Sequence, residues 1–402
     1  MTSVALLATL DTKGPEAAFV RDLLRSFEVP VVLVDTGCIG APAVTADVSR
    51  EAIFDAAGTT LSDVVREGDR GKAVTAAATG AARLIAQWHA EGRLAGVLGL
   101  GGSAGTTIGT AAMRGLPLGV PKVMVSTLGS GQTRPYVGGK DILMLNAVAD
   151  ISGLNRISRT ILGEAARAMA GLVRFPAPAQ PSAERPLVAA TMFGVTTPCV
   201  QHAQRVLEAA GYEVLVFHAT GNGGEAMEGL IADGLIAGVL DITTTELADE
   251  LVGGTLTAGP ERLTAAGRRG VPQVISVGAL DMVNFGPRQT VPDRFRDRKF
   301  HVHNANVTLM RTTPTENRQL GEEIGRKAAA SRGPTTILIP LQGVSAIDRA
   351  GQSFDDVEAR NALFEGLRAT HGNVPLIELD QHINDPAFAE AAAHELLRLM
   401  TR

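Results

Sequence analysis

Aromatic residues make up only 4% of this 402-residue sequence, and cysteine occurs just twice, at Cys38 and Cys199. Two cysteines so far apart exclude a disulfide framework and fit a reducing compartment. There is no basic run, and the formal charge is −5. A nucleic-acid partner needs a positive footprint, so none is expected. No stretch reaches the ~20 apolar residues that cross a bilayer. The chain enters an apolar segment straight after Met1-Thr2-Ser3, without the charged and hydrophobic regions of a secretory signal. These absences point to a soluble, cytoplasmic protein with no membrane partner. A P-loop is also missing: no Walker A sequence occurs anywhere. What the chain does have is 45% apolar residues and 45 glycines, enough for two or three domains of ~150 residues each.

The sequence repeats itself. Leu94-Ala-Gly-Val-Leu98 returns as Ile236-Ala-Gly-Val-Leu240, and Gly119-Val-Pro-Lys-Val-Met-Val125 as Gly270-Val-Pro-Gln-Val-Ile-Ser276. Short apolar strands alternate with helical segments in both halves. Val4–Leu10, Val31–Val34, Gly96–Leu100 and Pro121–Val125 read as strands in the first. Leu187–Met192, Val214–Phe217, Gly238–Asp241, Gln273–Val277 and Thr336–Pro340 do so in the second. Continuous apolar strands of this kind belong to parallel sheets covered on both faces. The expected fold class is α/β: two doubly wound Rossmann-like subdomains from an internal duplication, with mainly parallel sheets. Domains are expected at 1–180 and 187–402, joined by a Pro-rich linker at 176–186. The stretch at about 278–303 reads as irregular. Two such lobes imply a ligand cleft between them.

In parallel sheets the working loops lie at the carboxyl ends of the strands. In the first half, the run from Gly99 to Thr107 carries Gly101, Gly102, Ser103, Gly105 and Thr106 into a helix start. Glycines admit an anion to the backbone and the helix end adds positive potential; a glycine-rich turn made for tight packing is the alternative. Lys13 can aim a compact charge at a phosphate or simply sit in solvent. Asp11 and Asp35 end neighbouring strands and can hold a ribose hydroxyl or a metal, or serve as turn residues. Arg134, in the dense polar loop from Ser130 to Asp141, offers a planar fork to a carboxylate or phosphate.

In the second half, the loop after His218 matches G-x-G-x-x-A at Gly221–Ala226, with Asp241 ending the next strand, so a dinucleotide reading survives there. Thr243, Thr244 and Thr245 with Glu246 read equally as a helix cap and its capping box. His301 and His303 stand on one side of an extended segment. With His218, Asp241 and Asp281 they form a candidate acid–base set. Their spacing matches no zinc signature, so no metal is assigned. Thr243, Thr244 and Asn284 are candidate substrate contacts.

Several motifs together are specific: Leu7-Ala-Thr-Leu-Asp-Thr-Lys-Gly14, Gly101-Gly-Ser-Ala-Gly105, Met192-Phe-Gly-Val-Thr-Thr-Pro-Cys199, Asp241-Ile-Thr-Thr-Thr-Glu-Leu-Ala-Asp249, Asp281-Met-Val-Asn-Phe-Gly286 and His382-Ile-Asn-Asp-Pro386. They resemble, over essentially the whole chain, the bacterial and plant family similar to the ATP-binding N-terminal region of the tobamovirus-resistance protein. The resemblance implies two Rossmann-like subdomains, ATP binding by the first, and homodimers. Strand-end geometry puts the nucleotide, with or without Mg²⁺, on Asp11, Thr12, Lys13, Asp35, Thr36 and the Gly101–Thr106 loop. The second lobe is expected to present His218, Asp241, Asp281, His301 and His303 to a small polar anionic metabolite. A non-catalytic sensor module and a metal-assisted lyase or hydrolase centred on the second domain are the alternatives.

Overall fold

The computed structural model describes residues 2–176 and 185–401. The chain divides into two compact units, Met1–Gln180 and Pro181–Arg402. Pro178 and Pro181 of the expected linker lie outside the described residues.

The first unit is a five-stranded parallel sheet. Its strands are β1 (Ser3–Ala8), β2 (Val31–Asp35), β3 (Leu94–Gly101), β4 (Lys122–Ser126) and β5 (Leu143–Asn146), in the order β2-β1-β3-β4-β5. β1 shows why the run is continuously apolar. Val4, Leu6 and Ala8 pack on one face beneath the helices Leu10–Ser26 and Arg156–Arg174. Ala5 and Leu7 pack on the other beneath Arg50–Ala57, Arg70–Ala90 and Ser103–Arg114. A strand covered on both faces has no polar side to show. The helix that follows β1 is broken at Lys13 (φ −128°, ψ 18°). Pro15 therefore stands at the start of its longer segment, where a missing N–H costs nothing.

The second unit repeats the plan. Its strands β6 (Leu187–Met192), β7 (Glu213–His218), β8 (Gly238–Thr243), β9 (Gln273–Gly278), β10 (Met282–Phe285), β11 (Phe300–Asn304), β12 (Val307–Arg311), β13 (Thr335–Pro340) and β14 (Leu376–Leu379) make two sheets. The larger is parallel, in the order β7-β6-β8-β9-β13-β14. With strands counted within each parallel sheet, the first has the order 2-1-3-4-5 and the second continues it by one strand, 2-1-3-4-5-6. The repeated pentapeptides sit on the third strands, β3 and β8, and the repeated Gly-Val-Pro segments run into the fourth, β4 and β9. The duplication is thus one of topology as well as sequence.

One expectation fails. The stretch at 278–303 is not irregular: it carries β10 and β11, which pair on either side of β12 in an antiparallel sheet, β10-β12-β11. Among the described residues no helix is long and apolar enough to cross a membrane.

Candidate functional site

In a 2-1-3-4-5 sheet the strand order reverses between the first strand and the third, and the loops leaving those two strands diverge to open a crevice. The first unit has a cavity of about 230 Å³ there. Three loops wall it: Thr9, Asp11, Thr12 and Lys13 after β1; Thr36, Cys38 and Ile39 after β2; and Gly102, Ser103, Ala104 and Gly105 after β3. Arg70 and Val74, from the helix Arg70–Ala90, and Ile108 complete it.

The helix Ser103–Arg114 starts on this cavity, and its N-cap residue, Gly102, has no side chain to close it (φ −79°, ψ −153°). Unsatisfied amides at such an end carry about half a positive charge. Lys13 and Arg70 add two full ones against the single carboxylate of Asp11. That carboxylate accepts from the amides of Ile39 (3.0 Å) and Gly40 (3.3 Å), which shapes the second loop. Burial, then the nearby Asp11 charge, pushes the Cys38 thiol above its ordinary value, so it stays protonated at neutral pH.

Not every residue assigned to this site from the sequence faces the cavity. Asp35 is buried. Its Oδ1 accepts from the amides of Leu10 (3.0 Å) and Gly37 (2.9 Å), and its Oδ2 from Arg50 Nε (3.0 Å). It ties three segments together and does not line the cavity. Thr106 is buried and turned to Ser126, 2.7 Å between hydroxyls. Gly101 and Gly105 serve packing: a Cβ on Gly101 would lie 2.6 Å from the Gly105 Cα. Gly102 differs, since a Cβ there would meet nothing nearer than 3.6 Å. Arg134 lies on a different loop, at the start of the short helix Arg134–Val137 after β4. Arg70, Cys38, Ile39, Val74 and Ile108 were not singled out in the sequence. Arg70 looks there like an ordinary first residue of a helix capped by Asp69, and only the fold turns it to the cavity.

The second unit corrects more. Asp241 does not face a ligand. Its two oxygens accept from Arg262 Nη1 (2.5 Å) and Nη2 (2.7 Å), and Oδ1 also from Thr191 Oγ1 (2.7 Å). Nor does Glu246 close a capping box. Its Oε1 accepts from the amides of Gly221 (2.6 Å) and Gly224 (3.0 Å), and its Oε2 from Arg262 Nε (2.7 Å). Burial works against the Arg262 charge, but the carboxylates of Asp241, Glu246 and Glu228 outweigh it and hold the group well above its ordinary pKa. Two amides of the G-x-G-x-x-A loop, those of Gly221 and Gly224, and the acid that a dinucleotide would use are therefore committed within the chain.

Thr243 and Thr244 are buried as well. The Thr243 hydroxyl donates to the Thr191 carbonyl (3.0 Å) and that of Thr244 to the Ser276 carbonyl (3.1 Å). Asn284 binds Asp249, Nδ2 to Oδ2 at 2.7 Å. Asp281 is buried and accepts from Ser345 Oγ (2.8 Å); burial, then the neighbouring Asp348, raises its pKa. The histidines occupy three different settings. His218 ends the edge strand β7, exposed, stacked on Phe193 at 5.4 Å. His301 is half-buried beside Ser353 and Phe354. His303 is the extra residue of a β-bulge between Val302 and Asn304, and a bulge breaks the alternation that was to place both imidazoles on one side. The expected acid–base set is not assembled. Among the described residues no group of three or more His, Cys, Asp or Glu side chains is arranged to hold a metal.

Two family models cover the chain. The N-terminal domain of the uncharacterised protein family UPF0261 matches residues 2–178, and its C-terminal domain matches residues 185–400. A UPF0261 protein of Clostridium tetani is 48% identical over 99% of both chains, and one of Mesorhizobium japonicum is 46% identical over 98% of both. The ToMV resistance protein Tm-1(GCR237) of Solanum lycopersicum is 39% identical over 98% of this chain, which spans 55% of the tomato protein.

Proposed function

The chain belongs to the UPF0261 family, and on that premise we propose that its first unit binds the phosphate groups of ATP or a related nucleotide at the switch between β1 and β3. One observation carries the reading. At the point where the strand order reverses, a helix N-terminus, Lys13 and Arg70 line one cavity with three threonines. Backbone amides and cations so placed are the ordinary means of holding a phosphate without a P-loop. Each charge-assisted hydrogen bond contributes about 1.5–3 kcal/mol. Asp11, the one carboxylate on the wall among the described residues, would meet a nucleotide-borne Mg²⁺, which takes one or two carboxylates beside the phosphates. The same proposal includes the homodimer that the resemblance implies and the cytoplasmic location read from the sequence, for sedimentation and cell fractionation to test.

Calorimetric titration with ATP, with and without Mg²⁺, tests the reading on the wild type and on Gly102→Leu. A Cβ at position 102 meets nothing nearer than the Thr127 hydroxyl at 3.6 Å, so the variant is expected to fold, and a bulky side chain at this helix start is expected to weaken binding at least about tenfold. Equal affinities in the two proteins would remove the nucleotide from this cavity.

A second reading, a ligand-binding module without catalysis, is favoured by the second unit. There Asp241 and Asp281 are buried in networks, and His218, His301 and His303 stand apart. Binding of ATP without release of phosphate, whatever small anionic metabolite is added, supports the module; turnover supports the enzyme.

A further inference from the structure

The second unit holds an anion of its own at the place where the first unit has its cavity. A constant offset of 142 residues relates Leu94 to Ile236, and Gly101, which ends β3, to Thr243, which ends β8. The same offset relates Ala104 to Glu246. Ala104 lines the first-unit cavity. Glu246 is fully buried, its carboxylate clasped by the amides of Gly221 and Gly224 and by Arg262 Nε. A Cβ on Gly224 would lie 2.1 Å from Glu246 Oε2, so only glycine lets the carboxylate approach this closely. Glycine-permitted approach, two amides at the start of the helix Asn222–Ala232 and a guanidinium are the elements of an oxyanion site. Here the occupant is a side chain.

We propose that the second unit contains an oxyanion-binding pocket, formed by the amides of Gly221 and Gly224 and by Arg262, that Glu246 keeps filled, and that Ala104 is what leaves its counterpart in the first unit open to an external anion. The chain then takes one anionic ligand, at the first unit. Removing the Glu246 side chain opens a second place for a small carboxylate or inorganic phosphate, and adding one at position 104 closes the first. The part concerning the first unit rests on the nucleotide reading above; the part concerning the second does not.

The test uses the full chain. Glu246→Ala is melted in chloride, acetate and phosphate at matched ionic strength, beside wild type and Glu246→Gln. The variant melts lower than wild type in chloride, and acetate or phosphate restores part of the loss saturably, in excess of any wild-type response. A folded Glu246→Ala indifferent to both anions overturns the pocket. If the variant is insoluble from chloride, it is refolded in acetate: recovery there supports the pocket, and failure in every buffer overturns it. Ala104→Glu is titrated with ATP. Loss of at least about tenfold in affinity with the fold retained is the expected result, and unchanged affinity overturns the role of position 104. A wild type that binds no ATP removes the nucleotide reading alone, since the acetate rescue still decides the pocket.

Discussion

Glu246 Oε2 and Arg262 Nε meet at 2.7 Å with both side chains wholly withdrawn from solvent. The same guanidinium spans Asp241 with its other two nitrogens and reaches Glu228 at 3.3 Å. One cation thereby joins the start of the helix Glu246–Val252, the strand β8 and the helix Asn222–Ala232. Such a group is costly to bury and far costlier to leave half-paired.

Arg262→Met should therefore destabilise the second unit by about 3–5 kcal/mol, because three carboxylates lose their shared partner. Arg262→Lys keeps the charge but not the planar fork, and its loss should fall between the two. Urea unfolding of both variants, followed by circular dichroism, measures this. A methionine variant as stable as wild type would show that the cluster does not hold the unit together.

The cations of the first-unit cavity should act through charge. Lys13→Ala and Arg70→Ala are each expected to weaken ATP binding about tenfold, near 1.4 kcal/mol. The double variant should also show a flatter dependence of affinity on salt, as two paired charges are gone. Titration at two ionic strengths checks both points.

Gly101 and Gly102 are neighbours with opposite expectations. An alanine at 101 drives a methyl into the Gly105 backbone at 2.6 Å, whereas at 102 the nearest atom is 3.6 Å away. Gly101→Ala should lose about 1–3 kcal/mol through overpacking, and Gly102→Ala should melt as wild type does. Thermal unfolding of the pair separates glycine used for packing from glycine that leaves a cavity open.

Burial pushes Asp249 up to about 7. The folded state then keeps a proton that the unfolded chain releases near pH 4, so this group's stabilisation is complete below that pH. It is lost as pH rises towards 7, by at most about 1.4 kcal/mol per pH unit. Asp249→Asn should flatten the slope in that window. The new amide can also serve Asn284 Oδ1, which is buried without a partner among the described residues, once the Asn284 amide turns over. Urea titrations at several pH values give the slope; an unchanged slope in the variant would assign the pH dependence to other groups.

Much of the fold was legible because its physics is local. Strands such as β1 (Ser3–Ala8), expected at Val4–Leu10, are apolar on both faces, and repeated pentapeptides marked equivalent third strands. The antiparallel insertion was not, since β10 and β11 are only four and five residues long and stand on either side of a stretch with five cations at 288–299. At the first site the glycine loop announced itself, but glycine does not say whether it admits a ligand or a neighbouring backbone, and Gly101 and Gly102 divide that way. Arg70 was silent because its place depends on how one helix packs. In the second unit, Arg262 is the group that commits Asp241 and Glu246, and nothing in the order of residues links it to them. A long side chain choosing between its own helix cap and a loop some 20 residues earlier is a tertiary decision.

A crystal structure of the full chain grown with ATP and Mg²⁺ decides whether the first-unit cavity holds the nucleotide. Phosphate oxygens are expected within hydrogen-bond reach, about 2.7–3.2 Å, of the amides of Ser103, Ala104 or Gly105, with Lys13 and Arg70 turned towards them and Glu246 unmoved. Nucleotide density elsewhere on the chain, with this cavity holding only solvent at saturating ATP, would contradict that placement.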